Sequence, residues 1–191
     1  MNKLSQLTVI TGNSGKFADI QNFFESTSFA LKQAPIELEE LQDVDAQRVI
    51  MHKINEALKH NHTHFILEDT SLYIDGLKRL PGPFIKWFMS ELGVLDIVKL
   101  AAHMGNRSAY AETIVAYVDE HKNKHIFTGT TLGKIVEPRG DLGFGWSTIF
   151  QPTGCLQTYG EMAYEERKKW SQRVKALQKC KDFLLASSKS S

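Results

Sequence analysis

Short apolar runs alternate along this chain with segments whose apolar residues recur at the spacing of a helix face. The first run, residues 7–11, predicts a strand, and the segment after it predicts a helix that begins between Ser14 and Phe17. The inward face of that helix would carry Phe17, Ile20, Phe23 and Phe24. Strands that alternate with helices in this way favour an α/β fold, in which helices pack on a sheet.

The same pattern predicts the remaining elements. Further strands are expected at residues 29–34, 65–67, 110–118, 125–131 and 133–137. Helices are expected at residues 43–60 and 163–185, with one or two more between 83 and 104 and a break at Gly93. Residues 138–160 are rich in glycine and aromatic residues and are a candidate binding loop. We expect one domain over residues 1–186 and a flexible tail at residues 187–191.

Composition narrows the class of protein. A chain of 191 residues that is 42% hydrophobic can bury the core of one compact domain, and a net charge of +1 argues against a broad nucleic-acid-binding surface. We find neither a signal-type apolar core nor a stretch of about 18 apolar residues that could span a bilayer. Cys155 and Cys180 lie far apart and form no zinc or CxxC motif. We therefore expect a cytoplasmic protein with free thiols and with neither nucleic acid nor membrane as a partner.

A glycine-rich turn, Thr-Gly-Asn-Ser-Gly-Lys at residues 11–16, joins the first strand to the first helix. The free amides and the positive dipole end of the helix would face this turn, where Thr11, Asn13 and Lys16 add groups suited to a phosphate chain. The turn is not a Walker A loop, because Ile10 and Phe17 replace its glycine and its Ser or Thr. The alternative is an ordinary turn in which glycines supply positive φ.

Acidic residues follow two of the predicted strands. Asp69 and Thr70 come just beyond the strand at 65–67, where the edge of an α/β sheet exposes functional groups. Mg²⁺ prefers hard oxygen ligands, so Asp69, with a second acid that could come from the acidic cluster at residues 37–40, predicts a magnesium site. The alternatives are a solvated acidic surface for the cluster and a Glu68 side chain that points to solvent opposite Asp69.

Three other segments carry candidate chemistry. Lys86, between aromatic residues, is either a second cation for phosphates or a surface lysine on an amphipathic helix. Phe144 and Trp146 offer faces on which a nucleobase can stack, with ordinary packing as the alternative. The simplest interpretation of the basic residues at 167–173 is that their charged side chains are exposed to solvent.

Taken in order, these segments resemble the inosine/xanthosine triphosphate pyrophosphatase family over nearly the whole chain. The matching motifs are Thr-Gly-Asn-x-x-Lys at 11–16, Glu-Asp-Thr at 68–70, Leu-Pro-Gly-Pro-Phe-Ile-Lys-Trp-Phe at 80–88, Arg-Ser-Ala from Arg107, Gly129 with Gly133, Phe-Gly-Trp from Phe144, and Ser171-x-Arg173. The resemblance implies an elongated, mixed, twisted sheet flanked by helices, with two lobes around a central active-site cleft. It also implies a homodimer.

The implied activity is Mg²⁺-dependent hydrolysis of (deoxy)nucleoside triphosphates to monophosphate and pyrophosphate, which would remove inosine- and xanthosine-type nucleotides from the pool. By this likeness Asp69, Lys16 and Lys86 are catalytic, and Glu40 and Asp69 hold Mg²⁺. The implied substrate-binding residues are Thr11, Asn13, Lys16, Thr70, Lys86, Phe144, Trp146, Ser147, Arg167, Ser171, Gln172 and Arg173.

The chain departs from the family in the implied base pocket. Ser147 and Gln172 stand where the family has aspartate and histidine, and Arg167 replaces a lysine. A neutral serine would discriminate weakly against 6-aminopurines, while Arg173 still offers a donor to a 6-oxo group. Three hypotheses follow: an enzyme with the family's inosine or xanthosine preference, the same chemistry with a shifted base preference, or a nucleotide-binding regulator with little catalysis.

Overall fold

In the computed structural model, residues 5–60 and 62–187 are described, and residues 188–191 of the predicted tail lie outside this part. Within it, seven strands form one sheet: β1 (Ser5–Ile10), β2 (Phe29–Ala34), β3 (Phe65–Ile74), β4 (Pro81–Gly82), β5 (Ser108–Val118), β6 (Lys124–Ile135) and β7 (Phe150–Pro152). Six α-helices flank it: α1 (Ser14–Phe24), α2 (Ala46–Lys59), α3 (Ile85–Glu91), α4 (Gly93–His103), α5 (Tyr164–Trp170) and α6 (Gln172–Ser187). The predicted mixed α/β fold is confirmed, and Ser187 ends α6 instead of beginning the tail.

The order of the strands places the phosphate-loop candidate beside the middle of β3. Strands are arranged β2-β1-β3-β5-β6-β7, with β4 paired to β3. β1 is parallel to β2 and β3, whereas the other pairs are antiparallel. β1 pairs with β3 only through Thr8 and Val9, and it ends at Ile10 while β3 continues. Residues 11–16 therefore leave the sheet next to Glu68 and Asp69.

Alternation along β3 sends its side chains to two different hydrophobic groups. Ile66 packs with apolar residues of α1 and α6, including Ile20 and Leu177. Phe65 and Leu67 pack on the opposite face with apolar residues of α2. By the same alternation Glu68 faces α1 and α6, and Asp69 faces α2.

A third hydrophobic group lies at the far end of β3 and β5. It joins Leu72 and Ile74 of β3 to Ile97 of α4 and to Phe150 of β7. Core groups at both ends of the long strands agree with the predicted two lobes. Among the described residues, no helix has the length and apolar character needed to cross a membrane. Both cysteines are free thiols, and burial raises the pKa of the Cys180 thiol to about 12.

Two of the predicted strands were too short. β3 has ten residues, so Asp69 lies in the middle of a strand and not just beyond it. β6 runs through both the predicted strand at 125–131 and the separate one at 133–137, because its ladder with β5 is continuous from Lys124 to Lys134. Two glycines of β6 are positions of close approach: Gly129 lies against α6, and Gly133 lies against Phe150.

The single helix predicted at residues 163–185 is two helices. α5 ends at Trp170, and Ser171 is extended, with φ −63° and ψ 124°. The carbonyl oxygen of Trp170 accepts hydrogen bonds from the hydroxyls of Thr131 and Tyr159, so tertiary contacts satisfy a group that leaves the helix ladder. The break forms a corner between α5 and α6, with Arg167 before it and Arg173 after it. Gly93, the predicted break in the other helical region, begins α4 as expected.

We predict that Gly129→Ala destabilises the protein by about 1–3 kcal/mol, the usual cost of overpacking. An added Cβ would lie 2.0 Å from the carbonyl oxygen of Gln172 and 2.6 Å from the amide nitrogen of Ala176, and these backbone atoms of α6 cannot rotate away. Urea denaturation measures the loss. Gly12→Ala is the matched control, because its added Cβ would meet nothing within 4 Å. Equal stabilities for the two variants would contradict the close packing of α6 on β6.

Candidate active site

One cavity of about 1020 Å³ gathers most of the predicted site residues. Its walls come from the turn after β1, the acidic segment before α2, the middle of β3, the start of α3 and the aromatic segment at 144–146. The predicted site residues that line it are Thr11, Asn13, Lys16, Glu40, Asp69, Thr70, Lys86, Phe144 and Trp146. The two candidate phosphate lysines and the two candidate metal ligands therefore share one cavity.

The turn after β1 is closed by its own side chains. Asn13 caps α1, with its Oδ1 accepting a hydrogen bond from the amide of Lys16 at 3.0 Å, and Thr11 Oγ1 accepts from the amide of Asn13 at 3.1 Å. The cap fixes the start of α1 at the cavity wall, where the first helical amides have no partners within the helix. This arrangement is suited to an anion.

Glu40 and Asp69 converge on one cation, which the sequence analysis missed. The ammonium nitrogen of Lys53, on α2, lies 2.8 Å from Oε1 of Glu40 and 2.6 Å from Oδ1 of Asp69. Lys53 interrupts the apolar face of α2, being four residues after Val49 and one before Ile54. A lysine at an inward position of an amphipathic helix is the signal that could have revealed it.

The charges of this trio reinforce one another. Burial on its own raises the pKa of Glu40, but the nearby ammonium of Lys53, with smaller effects from Lys86 and Lys16, lowers it below the usual value. Burial lowers the pKa of Lys53, but Asp69 and Glu40 outweigh that effect and raise it. Glu40 and Lys53 are therefore both charged near neutral pH.

The donor set of the acidic pair fits Mg²⁺. Each carboxylate supplies hard oxygen donors, and one oxygen of each lies within 2.8 Å of the ammonium nitrogen of Lys53, so a metal held by both would bind beside this ammonium or displace it. Within the described residues, no group of three or more His, Cys, Asp or Glu side chains gathers to hold a metal. A metal between Glu40 and Asp69 would complete its shell with water or phosphate oxygens, as Mg²⁺ does.

Glu68 does not point to solvent, which corrects the alternative drawn from strand alternation. Its side chain is 1% exposed, and it forms ion pairs with Lys16 at 3.2 Å and with Arg173 at 3.0 Å. Burial raises the pKa of Glu68, but the charges of Arg173 and Lys16 outweigh burial and lower it to about 2. Glu68 is therefore a fully ionised, buried carboxylate in the wall of the cavity.

The basic segment at 167–173 is not simply exposed charge. Arg173 is buried, and Arg167 is largely buried. Both bind Asp19 of α1: Nη1 of Arg173 lies 2.6 Å from Oδ2, and Nη2 of Arg167 lies 3.3 Å from Oδ1. Asp19 was not singled out in the sequence, since an acidic residue on the polar side of a helix has the pattern of surface charge.

Lys86, on α3, lines the same cavity as Lys16. Its ammonium lies 5.6 Å from the ring centroid of Trp87, and both residues line the cavity. The indole nitrogen of Trp87 donates to Oε1 of Gln42 at 3.0 Å, which fixes the ring beside the acidic segment.

The residues implied for the base pocket are divided between the cavity wall and the interior. Phe144 and Trp146 line the cavity, but Ser147, Arg167, Ser171, Gln172 and Arg173 do not. The hydroxyl of buried Ser147 donates to the carbonyl oxygen of Phe144 at 2.8 Å. The amide oxygen of buried Gln172 accepts from the hydroxyl of Tyr159 at 3.1 Å. Substrate contacts by these residues remain predictions.

Comparison with known proteins places this geometry in a family. The sequence profile of the Ham1 family matches residues 7–183. The inosine triphosphate pyrophosphatase of Candida glabrata is 40% identical over 189 residues, covering 95% of this chain and 98% of its own, and that of Kluyveromyces lactis is 38% identical over 186 residues, covering 94% and 95%.

Solved structures show the same fold. The Ham1 protein of Staphylococcus aureus superposes with a TM-score of 0.79 at 19% identity, covering 94% of this chain and 99% of its own. A HAM1 protein from Coxiella burnetii gives a TM-score of 0.79 at 21% identity, covering 95% and 99%. The profile match and the identity to full-length relatives together show that this chain belongs to the Ham1 family.

Proposed function

We propose that the chain hydrolyses nucleoside triphosphates between the α- and β-phosphates, giving monophosphate and pyrophosphate, and that it acts on inosine- and xanthosine-type purine nucleotides. The observation that carries the proposal is the single cavity shared by Lys16, Lys86, Glu40 and Asp69. The names of the yeast relatives, inosine triphosphate pyrophosphatases, support the choice of substrate.

The cationic side chains would hold and neutralise the phosphate chain. Lys16 at the capped start of α1 and Lys86 of α3 both line the cavity. Phosphoryl transfer needs little covalent chemistry from the protein, since it depends on positioning and on stabilising negative charge. These two lysines would therefore orient the α–β bond and offset the charge of the leaving pyrophosphate.

Glu40 and Asp69 would hold Mg²⁺. When bound there, the metal would polarise a phosphoryl oxygen and lower the pKa of a coordinated water. Asp69 would orient the attacking water and accept its proton. Lys53 keeps the two carboxylates together, because both form ion pairs with its ammonium.

The aromatic segment would receive the base. Phe144 is 45% exposed and lines the cavity with Trp146. Because the Arg173 guanidinium lies 5.5 Å from the centroid of the Phe144 ring, a base would stack on the other face of that ring. The alternative of a shifted base preference rests on Ser147 and Gln172, which replace a carboxylate and an imidazole. The alternative of a regulator with little catalysis is disfavoured, because a simple binder has less need for the paired acids Glu40 and Asp69.

The proposal also includes a homodimer that acts in the cytoplasm, as the resemblance implies. Light scattering on the purified protein measures the mass directly, and a monomer at working concentration would contradict the assembly.

We predict that Asp69→Asn remains folded and loses turnover by about 10²-fold or more. Neutral asparagine cannot accept the proton from water, but Lys53 keeps Glu40 as a partner and the fold is retained. Pyrophosphate release from inosine triphosphate with Mg²⁺, together with the melting temperature, checks both parts. Asp96→Asn is the matched control, since Asp96 forms an exposed ion pair with Lys99 on α4. Near-normal release by Asp69→Asn would rule out the assigned role.

We predict that Ser147→Asp raises the preference for inosine over adenosine triphosphate, measured as the ratio of kcat/KM values, by about tenfold. A Cβ at Gly143 would lie 2.7 Å from Ser147 Oγ and 3.0 Å from Nη1 of Arg167, so a carboxylate at 147 would stand close to that guanidinium. A carboxylate can accept a hydrogen bond from the N1–H of a 6-oxopurine, whereas N1 of adenine carries no hydrogen to donate.

Ser147→Ala is the control for this prediction, because it removes the hydroxyl without adding charge and should leave the ratio nearly unchanged. A panel of standard and deaminated triphosphates, assayed with Mg²⁺, also separates the three hypotheses. An unchanged substrate ranking in Ser147→Asp would contradict the account of the base pocket.

A further inference from the structure

Glu68 is a buried charge to which the proposed chemistry gives no task. It lies in the middle of β3, where its neighbour Asp69 faces α2 and its own side chain faces α1 and α6. A buried carboxylate is costly unless cations and hydrogen bonds compensate it, so its retention beside the cavity needs a reason.

Two cations from different helices share this carboxylate. Arg173 of α6 binds both oxygens, with Nε donating to Oε2 at 3.0 Å and Nη2 donating to Oε1 at 3.3 Å. Lys16 of α1 lies 3.2 Å from Oε1, the same oxygen that Nη2 contacts. The position of the lysine ammonium is therefore tied to the carboxylate that also anchors α6.

Asp19 completes a cluster between α1 and the α5–α6 corner. Its carboxylate forms ion pairs with Arg173 and Arg167, whereas that of Glu68 pairs with one arginine and one lysine. We call these five residues the α1–α6 charge cluster: Lys16, Asp19, Glu68, Arg167 and Arg173. Three cations against two carboxylates leave one positive charge in excess.

Lys16 is the cation of the cluster that lines the cavity. Its side chain is 20% exposed and that of Arg173 is 8% exposed, while Arg167 is 16% exposed but does not line the cavity. An anion that enters the cavity therefore meets the positive charge of the cluster at the Lys16 ammonium. Because Glu68 forms an ion pair with that ammonium, it restricts where the charge is presented.

We propose that Glu68 is a positioning residue for the reaction. It holds the Lys16 ammonium at the cavity wall, where the phosphate chain would bind. Its pairing with Arg173 fixes the Glu68 carboxylate itself. This inference rests on the proposed function of the cavity. Misplacing a group by about 1 Å can cost on the order of 10² in rate, so an effect of Glu68 that acts through Lys16 is measurable.

A double-mutant cycle tests the role. Glu68→Gln keeps the size of the side chain and removes its charge, and it should lower kcat/KM for inosine triphosphate by about 10²-fold when Lys16 is present. In a Lys16→Met background the same change should alter kcat/KM by less than about twofold, because the group it positions is gone. If Glu68 served only to stabilise the fold, Glu68→Gln would lower kcat/KM by the same factor in both backgrounds.

Asp19→Asn is the matched control. It weakens the same charge cluster through Arg167 and Arg173, so its effect should be equal with Lys16 and with Met at position 16. Melting temperatures of all variants show how much of each loss is unfolding. Should Glu68→Gln fail to fold, Glu68→Asp takes its place, since it retains the charge for Arg173 and withdraws the carboxylate from Lys16.

The outcomes separate this inference from the proposed function. A wild-type protein that releases no pyrophosphate from any triphosphate would contradict the proposed function. If the wild-type protein has turnover but the effects of Glu68→Gln and Lys16→Met on kcat/KM are additive, the positioning role alone is overturned. Loss of the Glu68 effect in the Lys16→Met background supports it.

Discussion

The alternation of side chains along β3 is the constraint on which the site depends. Two consecutive acidic residues leave the strand on opposite faces, Glu68 toward α1 and α6 and Asp69 toward α2. Each then meets cations from the helices that cover its face. Because β1 ends beside this point, the phosphate-loop candidate and both carboxylates open onto one cavity. A shift of β3 by one residue would exchange the two carboxylates between the faces and disrupt both ion-pair groups.

Charge compensation explains how so many ionised groups are held together. Lys53 joins Glu40 to Asp69, and Glu68 joins Lys16 to Arg173, so few of these charges are left without an opposite partner. Buried pairs of this kind contribute little net stability, but loss of one member leaves an uncompensated charge. In the proposed function, a triphosphate entering the cavity would meet the Lys16 ammonium while Glu68 still holds it in place.

The sequence predicted the elements better than it predicted the contacts between them. Strand β2, helix α1 and the break at Gly93 were visible from periodicity and turn residues, and the family resemblance is confirmed by the profile match. The extent of β3 was missed because the polar residues 68–71 follow its apolar run, and β6 was predicted as two strands because its continuous ladder with β5 is a contact between elements. Lys53 and Asp19 were missed because their partners lie on other elements, and a charged residue in a single sequence has the pattern of a surface group.

In the proposed function, one cavity binds a metal-loaded triphosphate through Lys16, Lys86, Glu40 and Asp69. A crystal structure with Mg²⁺ and an inosine triphosphate analogue, in which a methylene group joins the α- and β-phosphorus atoms, tests it directly. The account predicts phosphate oxygens at about 2.7–3.2 Å from the ammonium nitrogens of Lys16 and Lys86, and a metal at about 2.0–2.1 Å from oxygens of Glu40 and Asp69. A triphosphate bound at another surface, with Glu40 and Asp69 still paired to Lys53 and free of metal, would contradict it.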